Sequence, residues 1–306
     1  MARLRRLATP SPAVNRTISK TLAILVVLAT ATPRLAAAQQ GPLMIIGGGP
    51  QSPALVQRLV DLAGGRGRAR IAVFAEASAD GEKSGIEKAD EFRALGADAK
   101  SIWITRDQAN TDSVAKLLDG VTGVYFGGGD QVLLIKALRG TKTAAAIRAR
   151  WEKGAEISGT SAGAAVMSEI MLTGDERHPG GARPDTTNPY MTIARANVVT
   201  DTGFAFLRNA IVDQHFLRRK RHNRLISLVL ERPPHLGAGI DESTALIVQP
   251  NGTWEVAGES VVVIYDARKA RITAPASKAL GASGVTMHVL PAGSTFDPGT
   301  GVARIP

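Results

Sequence analysis

Ile157-Ser-Gly-Thr-Ser161-Ala-Gly-Ala-Ala-Val-Met167 is the stretch on which the fold of this chain turns. Its opening, with Ala155 and Glu156 before it, suits a short buried strand. Its closing run of small and apolar side chains suits a helix. Between them Gly-x-Ser-x-Gly permits a sharp strand-to-helix turn that lifts a serine hydroxyl to the edge of a sheet, with the amides of the helix start behind it. A tight turn with a capping serine would use the same five residues, so the motif must be weighed with its surroundings.

Those surroundings repeat one theme. Leu43–Ile46, Arg70–Ala75, Ser101–Thr105, Val121–Phe126 and Ala155–Ser158 read as short buried strands. Helical spacing separates them: Leu55, Val56, Leu59 and Val60 within 52–63, a helix through Phe92 and Leu95, then helices from about Gln131 and Thr143. Strands alternating with helices predict an α/β protein with a mostly parallel sheet covered on both faces. Glycine runs at 47–49 and 127–129 close the first and fourth strands, but neither fits a dinucleotide fingerprint or a P-loop with its lysine. From about Leu172 to Tyr190 the chain is rich in Gly, Pro, Asp and Thr and lacks periodicity, as in a long functional loop. Beyond Gly237, Ala245–Val248, a turn at Pro250-Asn251-Gly252, Trp254–Val256 and Val261–Ile264 predict antiparallel strands added to the same sheet.

Composition narrows the class further. The 306 residues carry a net charge of +10, but six Arg/Lys and no acid fall in the first 38 residues. The remainder holds 31 basic and 27 acidic residues, an excess of four, and aromatics make up only 4% of the chain. Neither feature builds a nucleic-acid surface. The basic leader (Arg3, Arg5, Arg6, Arg16, Lys20), the apolar run Thr21–Ala31 and the small residues Ala36-Ala37-Ala38 read as an export signal of residues 1–38. That run is short of the ~20 apolar residues a membrane span needs, so cleavage and no stable membrane insertion are expected. One domain, residues 39–306, follows. With no cysteine in the chain, disulfides, thiolate metal sites and cysteine nucleophiles are excluded.

A serine nucleophile needs a base, and the chain has five histidines. His178 lies in the irregular stretch, His222 among Arg and Lys, His235 beside two prolines and His288 near the C-terminus. His215 ends the strand-like run Ala210-Ile-Val-Asp-Gln-His215, at the strand end where α/β active sites gather. An acid should orient the imidazole, and Glu242, in Gly239-Ile-Asp-Glu-Ser-Thr-Ala245, is favoured over Asp241, Asp213 and Asp175. The order Ser161, His215, Glu242 differs from the Ser, acid, His order of α/β-hydrolases.

Gly127-Gly-Gly-Asp-Gln131, Gly159–Ala164, Asp213-Gln-His-Phe216, the following Arg219, Arg221, Arg224 and Leu225, and Gly239–Ala245 together resemble the cyanophycinases, in the peptidase family that also holds the aspartyl dipeptidase peptidase E. The resemblance runs from Gly47 to about Ile264. It implies a three-layer α/β/α sandwich, flavodoxin-like or class I glutamine amidotransferase-like, in a homodimer without metal or cofactor. It implies Ser161, His215 and Glu242 as the triad, and Gln131, Asp213, Gln214, Arg219, Arg221 and Arg224 as the lining of the substrate cleft. Ala162 and Gly128 are the expected oxyanion donors. Cyanophycin is poly-aspartate with an arginine on each side chain, and cyanophycinases cut it to β-Asp-Arg dipeptides. A serine-type exopeptidase for this or a similar polymer is therefore expected. The alternatives are an exported aspartyl or isoaspartyl dipeptidase and a non-catalytic binding protein on the same fold. A solvated basic helix face is the competing reading of residues 218–224.

Overall fold

Leu43–Ile46 is buried on both sides, and its side chains alternate between two separate cores: Leu43 and Ile45 enter one, Met44 and Ile46 the other. That alternation marks a strand at the centre of a sheet covered on both faces. The structure, a computed structural model, describes residues 40–177, 192–277 and 279–306. The expected export signal, His178 and the loop from 178 to Tyr190 lie outside the described residues.

The first half of the chain runs β1 (Leu43–Ile46), α1 (Pro53–Leu62), β2 (Arg70–Phe74), α2 (Gly81–Ala94), β3 (Asp98–Ile102), α3 (Arg106–Ala109), α4 (Asp112–Ala115), β4 (Gly123–Phe126), α5 (Gln131–Leu138), α6 (Lys142–Glu152), β5 (Glu156–Thr160) and α7 (Ala162–Ala165). Capping chemistry sets several of the helix starts. Ser52, Thr141 and Asp130 each accept a backbone N–H of the first turn of α1, α6 and α5, and Pro53 opens α1 where its missing N–H costs nothing.

The second half runs β6 (Ile170–Glu176), β7 (Val198–Thr202), β8 (Ala210–Gln214), α8 (His222–Glu231), β9 (Leu236–Ile240), β10 (Thr244–Val248), β11 (Trp254–Gly258), β12 (Val261–Asp266), β13 (Arg271–Ile272), β14 (Ala282–Ser283), β15 (Thr286–Pro291), β16 (Thr295–Asp297) and β17 (Val302–Arg304).

The main sheet has the order β17-β16-β11-β10-β1-β5-β4-β2-β3. Strands β1 to β5 are parallel, and β10, β11, β16 and β17 extend the β1 side antiparallel. Helices α1 and α2 supply Leu55, Leu59 and Phe92 to the core on one face. Leu134, Ile147 and Ala164, from α5, α6 and α7, fill the other. This is the expected mostly parallel α/β sandwich.

Three expectations need correction. The third strand lies three residues early, at Asp98–Ile102, because Trp103 is exposed and Thr105 leaves the sheet to cap α3. The start of the expected loop, Leu172–Glu176, is strand and pairs with β7. Val261–Ile264 does not join the main sheet: β12 pairs with β9 and β15 in a second sheet of order β15-β12-β9-β8. Val212, Ile240, Val262 and Ile264 of that sheet enter the same core as α5 and α7, while Ile211 and Val263 face Leu225 and Val229 of α8. Among the described residues no helix is long and apolar enough to cross a membrane.

Candidate active site

Parallel strands β1, β4 and β5 end side by side, with Ile46 in register with Thr160 and Phe126 with Gly159. Their C-terminal edge therefore gathers Gly47-Gly48-Gly49, Gly127-Gly128-Gly129 and Ser161 in one place, the edge where parallel α/β sheets bind ligands. Ser161 stands at φ 54, ψ −110, a strained conformation for a residue with a side chain. Its N–H donates to Ile46 O (3.0 Å), which fixes the turn to the neighbouring strand. The flanking glycines are required by close approach. A Cβ on Gly159 would lie 2.4 Å from Gly163 O, and one on Gly163 would lie 2.1 Å from Phe126 O.

The second sheet delivers the imidazole. His215 follows β8, itself at positive φ (50), and its N–H donates to Gly47 O at 2.6 Å. Its Nε2 lies 2.8 Å from Ser161 Oγ and its Nδ1 2.6 Å from Glu242 Oε1. With Nδ1–H donating to the carboxylate, Nε2 is left to accept the serine proton. The imidazole lies against the backbone of Gly48, where a Cβ would come within 2.3 Å of its Cε1. Gly49 stands in the same relation to Glu242, at 2.8 Å from its Cβ. The glycine run considered for nucleotides is thus the floor beneath the imidazole and its carboxylate. Burial lowers the pKa of His215 below its ordinary 6.5, and the Arg219 and Arg221 charges act in the same direction against the Glu242 bond.

Geometry separates the competing acids. Asp241 Oδ1 accepts the N–H groups of Leu217 and Arg218, both at 3.0 Å, and its Oδ2 accepts Ser260 Oγ at 2.8 Å. It secures the turn after His215 and does not touch the ring. Asp213 is buried beneath the cleft in a bidentate pair with Arg224. Asp175 lines the cleft. Of the other described histidines, His222 meets the hydroxyl of Tyr265 at 2.7 Å, and neither His235 nor His288 takes part in the Ser161–His215–Glu242 line.

Ser161 opens on a cleft of about 230 Å³ whose wall includes Gln131, Asp175, Gln214, Arg219, Arg221 and Arg224. Gln131 Nε2 donates to Leu172 O (2.9 Å) and to Thr173 O, tying α5 to β6. Arg221 binds both the backbone carbonyl and the side chain of Gln214. Arg224 is 3% exposed, whereas Arg218, Arg219 and Lys220 are exposed on the turn before α8. The basic stretch is therefore divided between cleft and solvent. Asp213 alone of the expected cleft residues lies behind the wall, satisfied by the arginines it supports.

Ser161 N–H is taken by Ile46, and Gly127 N–H by Phe74. The amides of Gly128 and Ala162 make no hydrogen bond to a described acceptor, and Gly128 lies against Ser161, 3.4 Å from Cβ to Cβ position. They are the donors available to an oxyanion. Among the described residues no group of three or more His, Asp or Glu could hold a metal ion.

A strained serine, an imidazole and a carboxylate in one hydrogen-bonded line, at the strand ends of an α/β sandwich, have the geometry of a serine hydrolase. Residues 43–255 match the profile of Peptidase family S51. A cyanophycinase of Synechococcus elongatus is 32% identical over 234 residues, spanning 74% of this chain and 69% of the relative. One of Trichormus variabilis is 33% identical over 239 residues, 76% of each. The crystal structure of a peptidase from an acI-B1 Actinobacterium has the same fold, with a TM-score of 0.61, 22% identity, and coverage of 85% of this chain and 98% of that one. The chain belongs to peptidase family S51 and is a serine-type peptidase.

Proposed function

We infer that this chain is an exported serine exopeptidase that hydrolyses cyanophycin, or a similar β-aspartyl polymer, to dipeptides such as β-Asp-Arg. The observation that carries the chemistry is the continuous line from Ser161 Oγ through His215 to Glu242. As Ser161 Oγ attacks the scissile carbonyl carbon, His215 Nε2 accepts its proton and the carbonyl oxygen takes the negative charge. The amides of Ala162 and Gly128 receive that oxyanion. His215 then gives the proton to the leaving nitrogen, the C–N bond breaks, and an ester to Ser161 remains. Water, deprotonated by the same imidazole, attacks the ester and returns Ser161 to its hydroxyl form. Glu242 remains ionised throughout, holding the tautomer and offsetting the imidazolium charge. The lowered pKa of His215 keeps its ring neutral and basic at neutral pH.

The substrate reading draws on the cyanophycinase relatives and on the cleft chemistry. Repeating carboxylates and guanidinium groups call for both arginines and acids in the wall, and the cleft has both. The basic leader with its short apolar run supports export, ahead of a single peptidase domain from residue 39. A homodimer is part of the same reading.

Ser161→Ala tests the mechanism. The hydroxyl adds little packing at a turn, so the variant should keep its circular dichroism spectrum and melting temperature. Turnover of cyanophycin should fall at least about a thousandfold. A folded Ser161→Ala enzyme with a tenth of normal activity would rule the assignment out.

A further inference from the structure

Strand β6 carries an irregularity beside the cleft. Leu172 pairs with Thr200 and Glu176 with Val198, so Thr173, Gly174 and Asp175 span a gap that Val199 alone spans on β7. A bulge of this kind bends a strand and re-aims the side chains on it. Gly174 stands at φ 103, open to glycine and strained for other residues. The bulge is held from both sides: Gln131 Nε2 binds the carbonyls of Leu172 and Thr173, and Thr173 Oγ1 donates to Val199 O at 3.1 Å. Gln131 is itself buried, so its amide acts as a fixed brace. The result is that Asp175 takes its place in the wall of the cleft that holds Ser161.

The charges of that wall are unequally committed. Arg224 is paired with Asp213, and Arg221 is bonded to Gln214. Asp130 caps α5 through the N–H of Val132 at 2.7 Å. Asp175 is different: among the described residues its carboxylate has only the Thr173 hydroxyl as a side-chain donor, at 3.3 Å, and Val199 O competes for that same proton at 3.1 Å. It is exposed within the cleft and held by its bulge, so it can meet a cationic group without first breaking an ion pair.

We propose that Asp175 is the specificity-determining carboxylate that binds the guanidinium of the substrate unit seated at Ser161. The assignment rests on the substrate reading above and adds to it the residue that reads the substrate's positive charge. A carboxylate and a guanidinium form two parallel charge-assisted hydrogen bonds, a geometry that a uncharged urea group reproduces only in part.

The test uses two synthetic three-unit oligomers, one of β-Asp-Arg and one in which citrulline, the uncharged isostere, replaces each arginine. The wild-type enzyme should favour the arginine oligomer by about ten- to a hundredfold in kcat/KM, mainly through KM. Asp175→Asn should bring that ratio close to one, and Asp175→Glu should restore part of it. An unchanged ratio in Asp175→Asn, or an equal loss on both oligomers, overturns the assignment while leaving the substrate reading intact. If the wild type cleaves neither oligomer, the substrate reading and the assignment fall together.

Discussion

Three residues at the site, Ser161, His215 and Ser243, adopt positive φ without being glycine. Each such conformation costs on the order of 1–3 kcal/mol and persists only where neighbours enforce it. Here the enforcing contacts are backbone bonds to the first glycine run and the strand before it: Ser161 to Ile46, His215 to Gly47 and Ser243 to Gly48. The same three contacts align hydroxyl, imidazole and carboxylate. The charge around the imidazole gives a prediction at this scale. Burial, Arg219 and Arg221 all lower the pKa of His215, so kcat/KM should lose its acid limb at a pH below 6.5. Arg219→Ala removes a cation that disfavours the imidazolium, so the limb should move to higher pH, and it should move less at high salt. A pH–rate profile of the variant checks this; a limb unmoved or shifted downward would contradict it. That Ser161, His215 and Glu242 meet in one hydrogen-bonded line was legible in the sequence, because each sits in a motif with a chemical reason for its residue type. The function of Gly48 was not legible, because it lies in a contact with His215, far along the chain.

Among the elements, the turn between β8 and α8 decides where the His215 imidazole and Arg219 stand. Arg219 N–H closes it onto His215 O (2.9 Å), and Asp241 caps it through Leu217 and Arg218. Asp241 and Glu242 leave β9 together, so one dipeptide fixes the turn and orients the ring. Asp241→Ala should free two backbone N–H groups, lower kcat/KM and reduce stability by about 1–3 kcal/mol. Asp241→Asn keeps an acceptor for both N–H groups and should recover most of each. Denaturant melts and kinetics on the two variants measure this, and equal damage by Ala and Asn would reject the capping role. Strands β1, β2, β4 and β5 were readable from their apolar runs, whereas β3, DAKSI, has no such run. The partition of the strands into two sheets was not, since Val261–Ile264 has the same buried pattern in either sheet and only the pairing of Val262–Ile264 with Ala238–Ile240 assigns it. The bulge in β6 was equally hidden. Gly174 within a Gly- and Asp-rich stretch reads as loop, and only pairing with β7 shows a strand with extra residues.

For the whole molecule, the two-faced core explains why the chain reaches a stable fold without disulfides, and it also holds a liability. Glu156 opens β5 wholly buried, and burial raises its pKa well above the usual 4.5 against the smaller, opposing effect of the neighbouring Ser158 hydroxyl. Below that value the group is protonated in folded and unfolded chains alike and costs nothing through ionisation. As pH rises, the unfolded chain ionises first, so stability falls until the folded pKa is reached. Glu156→Gln removes this decline, and its melting temperature relative to wild type should climb as pH rises above the usual carboxylate range. A constant difference would mean that the carboxyl is ionised in place. Cleavage of an arginine-bearing β-aspartyl polymer at Ser161, the proposed function, is tested by product analysis. The protein lacking residues 1–38 is incubated with purified cyanophycin and the soluble products are identified by mass spectrometry. β-Asp-Arg is the expected released species, with none from the Ser161→Ala enzyme. Intact polymer after prolonged incubation, or the same dipeptide from Ser161→Ala, would contradict it.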